Sequence, residues 1–69
     1  MTKTELLKAI DRSIKRSKER ESRLRVEVAV AKRKGELEKM SSYIARVTEV
    51  WVARGDLIAT RKCLASMEG

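Results

Sequence analysis

Sixty-nine residues carrying a formal charge of +7, with one cysteine and no histidine, make a single domain (1–69) without the usual staples of small folds. Cys63 by itself closes no intrachain bridge, a zinc site needs several Cys or His ligands, and so short a core supplies no more than about 3–5 kcal/mol. Disulfide and structural-metal scaffolds are thereby excluded, which leaves a second chain as the means of completing the core.

The first predicted element opens with a capping box. Thr2 is placed to accept from the backbone N–H of Glu5, and Glu5 to reach back to Thr2, so a helix starts at about Lys3 and runs to about Arg33. Along it Leu7, Ile10, Ile14, Ser17, Glu21, Leu24, Val28 and Ala31 alternate spacings of three and four, the seam of a helix packed nearly parallel to another. Ser17 and Glu21 make the middle of that seam polar. Such a break lowers stability but fixes register or partner number, or else marks fraying.

The same helix carries the charge. Residues 1–35 hold twelve basic and five acidic side chains, a net of +7, whereas residues 36–69 hold five of each. Lys8, Arg12, Arg16, Arg20 and Arg23 follow at spacings of four, four, four and three and so share one side, which Lys15, Lys18 and Arg25 widen. Lys32, Arg33 and Lys34 sit near the negative end of the helix dipole. A one-sided cationic surface suits a polyanion or an acidic protein face. A solvated face partly neutralised by Asp11, Glu19, Glu21 and Glu27 is the competing reading. The candidate nucleic-acid contacts are Lys8, Arg12, Lys15, Arg16, Arg20, Arg23 and Arg25.

Gly35 follows the basic triplet at the place of a left-handed C′ residue, which predicts a hairpin turn. The apolar phase changes across it, and a straight helix with a phase shift is the alternative. A second helix, about 36–54, has Leu37, Met40, Ile44, Val47 and Trp51 as its seam, broadened by Tyr43 and Val50. The aliphatic company of Tyr43 and Trp51 favours core packing over stacking on bases. Arg54-Gly55-Asp56 reads as a C′ glycine followed by an N-cap, which predicts a short third helix over about 57–67 with Leu57, Ile58, Leu64 and Met67 as its apolar residues. Cys63 is expected to be a buried thiol, since a reactive one needs an electropositive site and a partner base.

The expected fold is therefore all-α with coiled-coil-like packing: a long helical hairpin plus a short third helix. At about 1.5 Å per residue the first two helices differ in length by about 17 Å, so part of the first seam is left for a partner. The candidate oligomer or partner interface is Leu7, Ile10, Ile14, Leu24, Val28, Met40, Ile44, Val47 and Trp51. The absence of prolines, with only three glycines, supports this helical reading over sheets, and periodicity supports it over disorder. No apolar run exceeds four residues, too short for a signal peptide or a membrane span, so a cytoplasmic protein of bacterial or viral type is expected.

Arg23-Leu24-Arg25-Val26-Glu27 with Ala31-Lys32, then Ile44, Arg46, Glu49-Val50-Trp51, and later Arg61, Leu64-Ala65 and Met67, resemble the helical hairpin of bacteriophage small terminase subunits. That likeness implies ring-forming helices, a DNA-packaging context and a helical protein partner. The chain departs from the family in lacking the preceding helix-turn-helix domain and a Gly-Glu-Leu-Val turn. Met1-Thr2-Lys3 and Arg61-Lys62-Cys63-Leu64-Ala65 resemble the Rop hairpins of plasmid copy control, which implies a dimeric four-helix bundle binding RNA through a basic face.

No phosphate loop, catalytic histidine or carboxylate pair set in a pocket is present in the sequence, so no enzyme activity, cofactor, metal or small-molecule substrate is expected. The expected role is a small interaction protein of phage or mobile-element type that binds a helical partner, nucleic acid or both. An RNA- or DNA-binding regulator and an inhibitor or adaptor for an acidic protein surface are the alternatives.

Overall fold

The computed structural model describes residues 1–67, which form two helices, α1 (Lys3–Lys34) and α2 (Leu37–Ser66). Thr2 caps α1 by accepting the Glu5 backbone N–H at 3.1 Å, as the capping pattern requires. Gly35 ends α1 with φ 71°, in the left-handed region. There the Gly35 N–H donates to the Lys32 carbonyl at 3.2 Å and the Glu36 N–H to the Ala31 carbonyl at 2.9 Å, the paired bonds of a Schellman turn. With α2 starting at Leu37, the chain reverses within two residues and the helices run antiparallel.

The sequence places a break at Gly55 and a third helix after it; the chain instead continues as one helix through Gly55 to Ser66. Gly55 has no positive φ, and a glycine on the exposed side of a helix costs only about 1 kcal/mol relative to alanine. Packing outweighs that cost, because Val47, Val50, Arg54, Leu57, Arg61 and Leu64 keep the three-four alternation without a slip and stay turned towards α1. The two helices, 32 and 30 residues long, therefore match in length and cover each other along a rod with extents of 54 × 14 × 14 Å.

The α1 seam packs as its spacing requires. Ile10, Leu24 and Ala31 are buried, and Leu7, Ile14, Ser17, Glu21 and Val28 are half-buried. The α2 face is rotated from the expected one. Val47 and Val50 are buried, with Met40, Tyr43, Leu57 and Leu64 half-buried beside them, whereas Leu37, Ile44 and Trp51 stand exposed. Leu24, Val47 and Val50 form the core cluster, with Tyr43 packed against it. Cys63, expected to be buried, is exposed.

The two glycines should answer alanine with opposite signs. A Cβ at Gly35 is placed at positive φ, so Gly35→Ala should destabilise the fold by about 1 kcal/mol, lowering Tm by about 4–8 °C. A Cβ at Gly55 meets nothing within 4 Å, and Gly55→Ala should stabilise by about 0.5–1 kcal/mol. Thermal melts followed by circular dichroism check both, and a loss at Gly55 would restore the break there.

Candidate functional site

The polar middle of the α1 seam is where the two helices are tied together. Glu21 lies at a seam position, its side chain 15% exposed, and accepts from Arg54 of α2 at 2.6 Å and from Arg25 one turn along α1 at 2.8 Å. The Trp51 indole N–H donates to the same carboxylate, while the Arg25 guanidinium sits over the Trp51 ring, 5.4 Å from its centroid. Towards the free ends, Arg61 forks onto Asp11 at 2.5 and 3.3 Å. Arg54 and Arg61 occupy α2 seam positions seven residues apart, each facing a carboxylate of α1. The sequence signal for this pairing is the basic interruptions of one seam meeting the acidic interruptions of the other.

These contacts shift the carboxyls. Desolvation pushes Glu21 up, but hydrogen bonds from Arg54, Arg25 and Trp51 outweigh it and hold the group below its ordinary value. The Arg61 hydrogen bond likewise lowers Asp11 against a smaller desolvation effect, and Asp11 in turn raises Arg61.

The pairing of Asp11 and Glu21 with arginines of α2 shapes the outer surface of α1, Glu21 being enclosed and Asp11 about half exposed. Both acids are spent on α2, which leaves Glu19 and Glu27 as the acids on the exposed side of the cationic stretch. Lys8, Arg12, Lys15, Arg16, Lys18, Arg20 and Arg23 are all exposed and make no ion pair among the described residues. Arg25, also a candidate contact, is held between Glu21 and Trp51. On one flank of the rod, Arg16, Arg20 and Arg23 together with Glu19, Glu27 and Glu49 border an open groove of about 780 Å³ that Leu24, Val50 and Ala53 also line.

Of the nine residues assigned to a partner interface, Leu7, Ile10, Ile14, Leu24, Val28, Met40 and Val47 face the other helix of the same chain. Ile44 and Trp51 remain on the surface. No described residues form a cluster of three or more potential metal ligands, and no described helix is long and apolar enough to cross a membrane.

No protein-family model, curated protein or solved structure matches this chain.

The lowered carboxyls set a pH dependence. The folded chain binds fewer protons than the unfolded one between the lowered and the ordinary values, so stability rises with pH across that range. It should be complete above the ordinary values of 4.5 for Glu21 and 3.8 for Asp11, and be lost as pH falls through the folded ones. Melts in a pH series should show this acid limb flattened in Glu21→Gln/Asp11→Asn. An unchanged limb would mean that other carboxylates carry it.

Proposed function

We propose that the protein is a small non-enzymatic interaction protein of the cytoplasm, whose first helix holds the phosphate backbone of a nucleic acid along its outer face. The observation that carries this reading is the row of unpaired exposed cations on α1, where Asp11 and Glu21 are engaged by arginines of α2. Seven of them, from Lys8 to Arg23, lie on an α-helical stretch about 22 Å long, and α2 braces that stretch from behind. Cations already engaged by neighbouring carboxylates would have to break those pairs to bind phosphate, and these have none to break.

The contacts are of the kind that position a protein without reading bases, because arginine and lysine on an exposed helix reach phosphate oxygens in any sequence. DNA and RNA share that chemistry, and the Rop-like resemblance leads to it as well. The DNA-packaging setting of phages and mobile elements belongs to the same proposal, since a hairpin that grips backbone without sequence preference suits it.

Neutralising about four phosphates with Arg12, Arg16, Arg20 and Arg23 should make log affinity fall with log salt at a slope of about −3.6 on duplex DNA, from about −0.9 per phosphate. Replacing those four residues with Gln should flatten most of the slope, leaving only what Lys8, Lys15 and Lys18 still carry, with helix content unchanged because all four lie off the seam. Fluorescence anisotropy with labelled duplexes of unrelated sequence measures both. Absence of salt-sensitive binding at low ionic strength, for DNA and for RNA, would overturn the reading and favour an acidic protein surface as the target.

A further inference from the structure

The hairpin leaves an apolar line largely uncovered, Arg25 lying over the Trp51 ring alone. Leu37, Ile44, Trp51 and Ile58 are 69%, 47%, 47% and 39% exposed, and they follow one another at intervals of seven along α2. A strict seven-residue interval holds one position of a coiled-coil helix, so the four side chains form a stripe about 32 Å long just beside the intramolecular seam. Ser41, Thr48 and Gly55 run along its outer edge, small enough for another helix to approach closely. Around its middle the stripe opens into a groove of about 390 Å³ floored by Val28, Ala29 and Val47, with Arg25 and Lys32 on the α1 rim. The surface apolar residues are thus continuous with the core.

We infer that this stripe is the self-association surface of the protein, occupied by the same stripe of a second copy in an antiparallel, two-fold arrangement. The area points to an occupant of this size. A monomer of 7.9 kDa ordinarily exposes about 4,400 Å², and this chain exposes 5486 Å². The excess of about 1,000 Å² is close to the roughly 800 Å² that each partner buries in a standard interface. Laying a second rod along the first removes that excess by turning a two-helix section into a four-helix one.

Charge decides which helix lies at the centre. Residues 36–69 are balanced in charge, while residues 1–35 carry the whole +7. Contact through α2 puts the two neutral halves together and leaves only Arg25, paired with Glu21, and Lys32 of α1 on the rim; contact through α1 would bring the cationic faces together. A two-fold axis needs a self-complementary patch, in which one residue meets another and is met by it in return. The stripe satisfies this when Leu37 meets the partner's Ile58 and Ile44 meets the partner's Trp51, which places the axis beside Val47 and Thr48. This assembly rests on α2 and is independent of the nucleic-acid reading, which rests on α1.

Sedimentation equilibrium of the full chain at micromolar concentration should give twice the 7.9 kDa chain mass. Ile44→Lys/Ile58→Lys puts two charges into the contact and should weaken association by about 100-fold or more. Helix content should stay unchanged, as both side chains lie off the intramolecular seam. Val52→Lys, at an exposed position outside the stripe, should remain dimeric, and so should the four-arginine variant. As a second measurement that does not disturb the stripe, a short bis-maleimide should join Thr48→Cys chains in a Cys63→Ser background, and should leave Glu49→Cys chains, on the far side at the same level, unjoined. A wild-type mass of one chain overturns the inference, as does crosslinking through position 49 in place of 48, or a double-lysine variant that associates like the wild type.

Discussion

Everything in this fold depends on the reversal at Gly35. The left-handed residue and its two Schellman hydrogen bonds fold the chain back within two residues, so that α2 returns along α1 in a register the turn itself sets. That register brings Asp11 to Arg61, and brings Glu21 within reach of Arg54, which lies about one helical turn further from the reversal. The apolar alternation then zips Leu24 against Val47 and Val50. Without the reversal neither seam has a partner within the chain.

The ion pairs do more for orientation than for binding strength. Asp11–Arg61 is about half exposed on both sides and solvent screens it. Glu21–Arg54 is more enclosed and is reinforced by Arg25 and the Trp51 indole. Sliding one helix along the other by a heptad would leave one of the two carboxylates without its arginine, and rotating α2 would carry Arg54 away from Glu21. The polar break in the α1 seam thus favours one register and one face of α2. It also has an electrostatic consequence outside, for Glu21 is engaged by Arg54 and Arg25 and is withdrawn from the outer face of α1.

Much of α1 was legible in the sequence. The Thr2 cap, the Gly35 stop and all eight seam residues follow from residue chemistry and spacing, because α1 has a single apolar stripe and polar residues around it. In α2 the phase was less legible. Two apolar stripes lie side by side there, one through Tyr43, Val50 and Leu57 and the other through Leu37, Ile44, Trp51 and Ile58, and hydrophobicity favours the second. What selects the first is the pair of arginines it contains, which the acids of α1 require, and that selection becomes visible only when the helices are set opposite one another. Gly55-Asp56 has the local chemistry of a helix end, yet the heptad phase runs through it unbroken and long-range packing prevails. The cations at Lys8 to Arg23 were visible as a row, but whether Asp11 and Glu21 neutralise them depended on which way those two acids turn.

The antiparallel hairpin is tested most directly by a distance between the open ends of the helices. Spin labels on the native Cys63 and on a Lys8→Cys variant, both at exposed positions, can be measured by double electron–electron resonance, with unlabelled protein added to suppress distances between chains. Helices packed side by side about 10 Å apart place the labels within about 30 Å of each other, allowing for the label arms. A continuous helix through Gly35 would separate them by about 80 Å, and a distribution centred there would contradict the fold and the cationic face built on it.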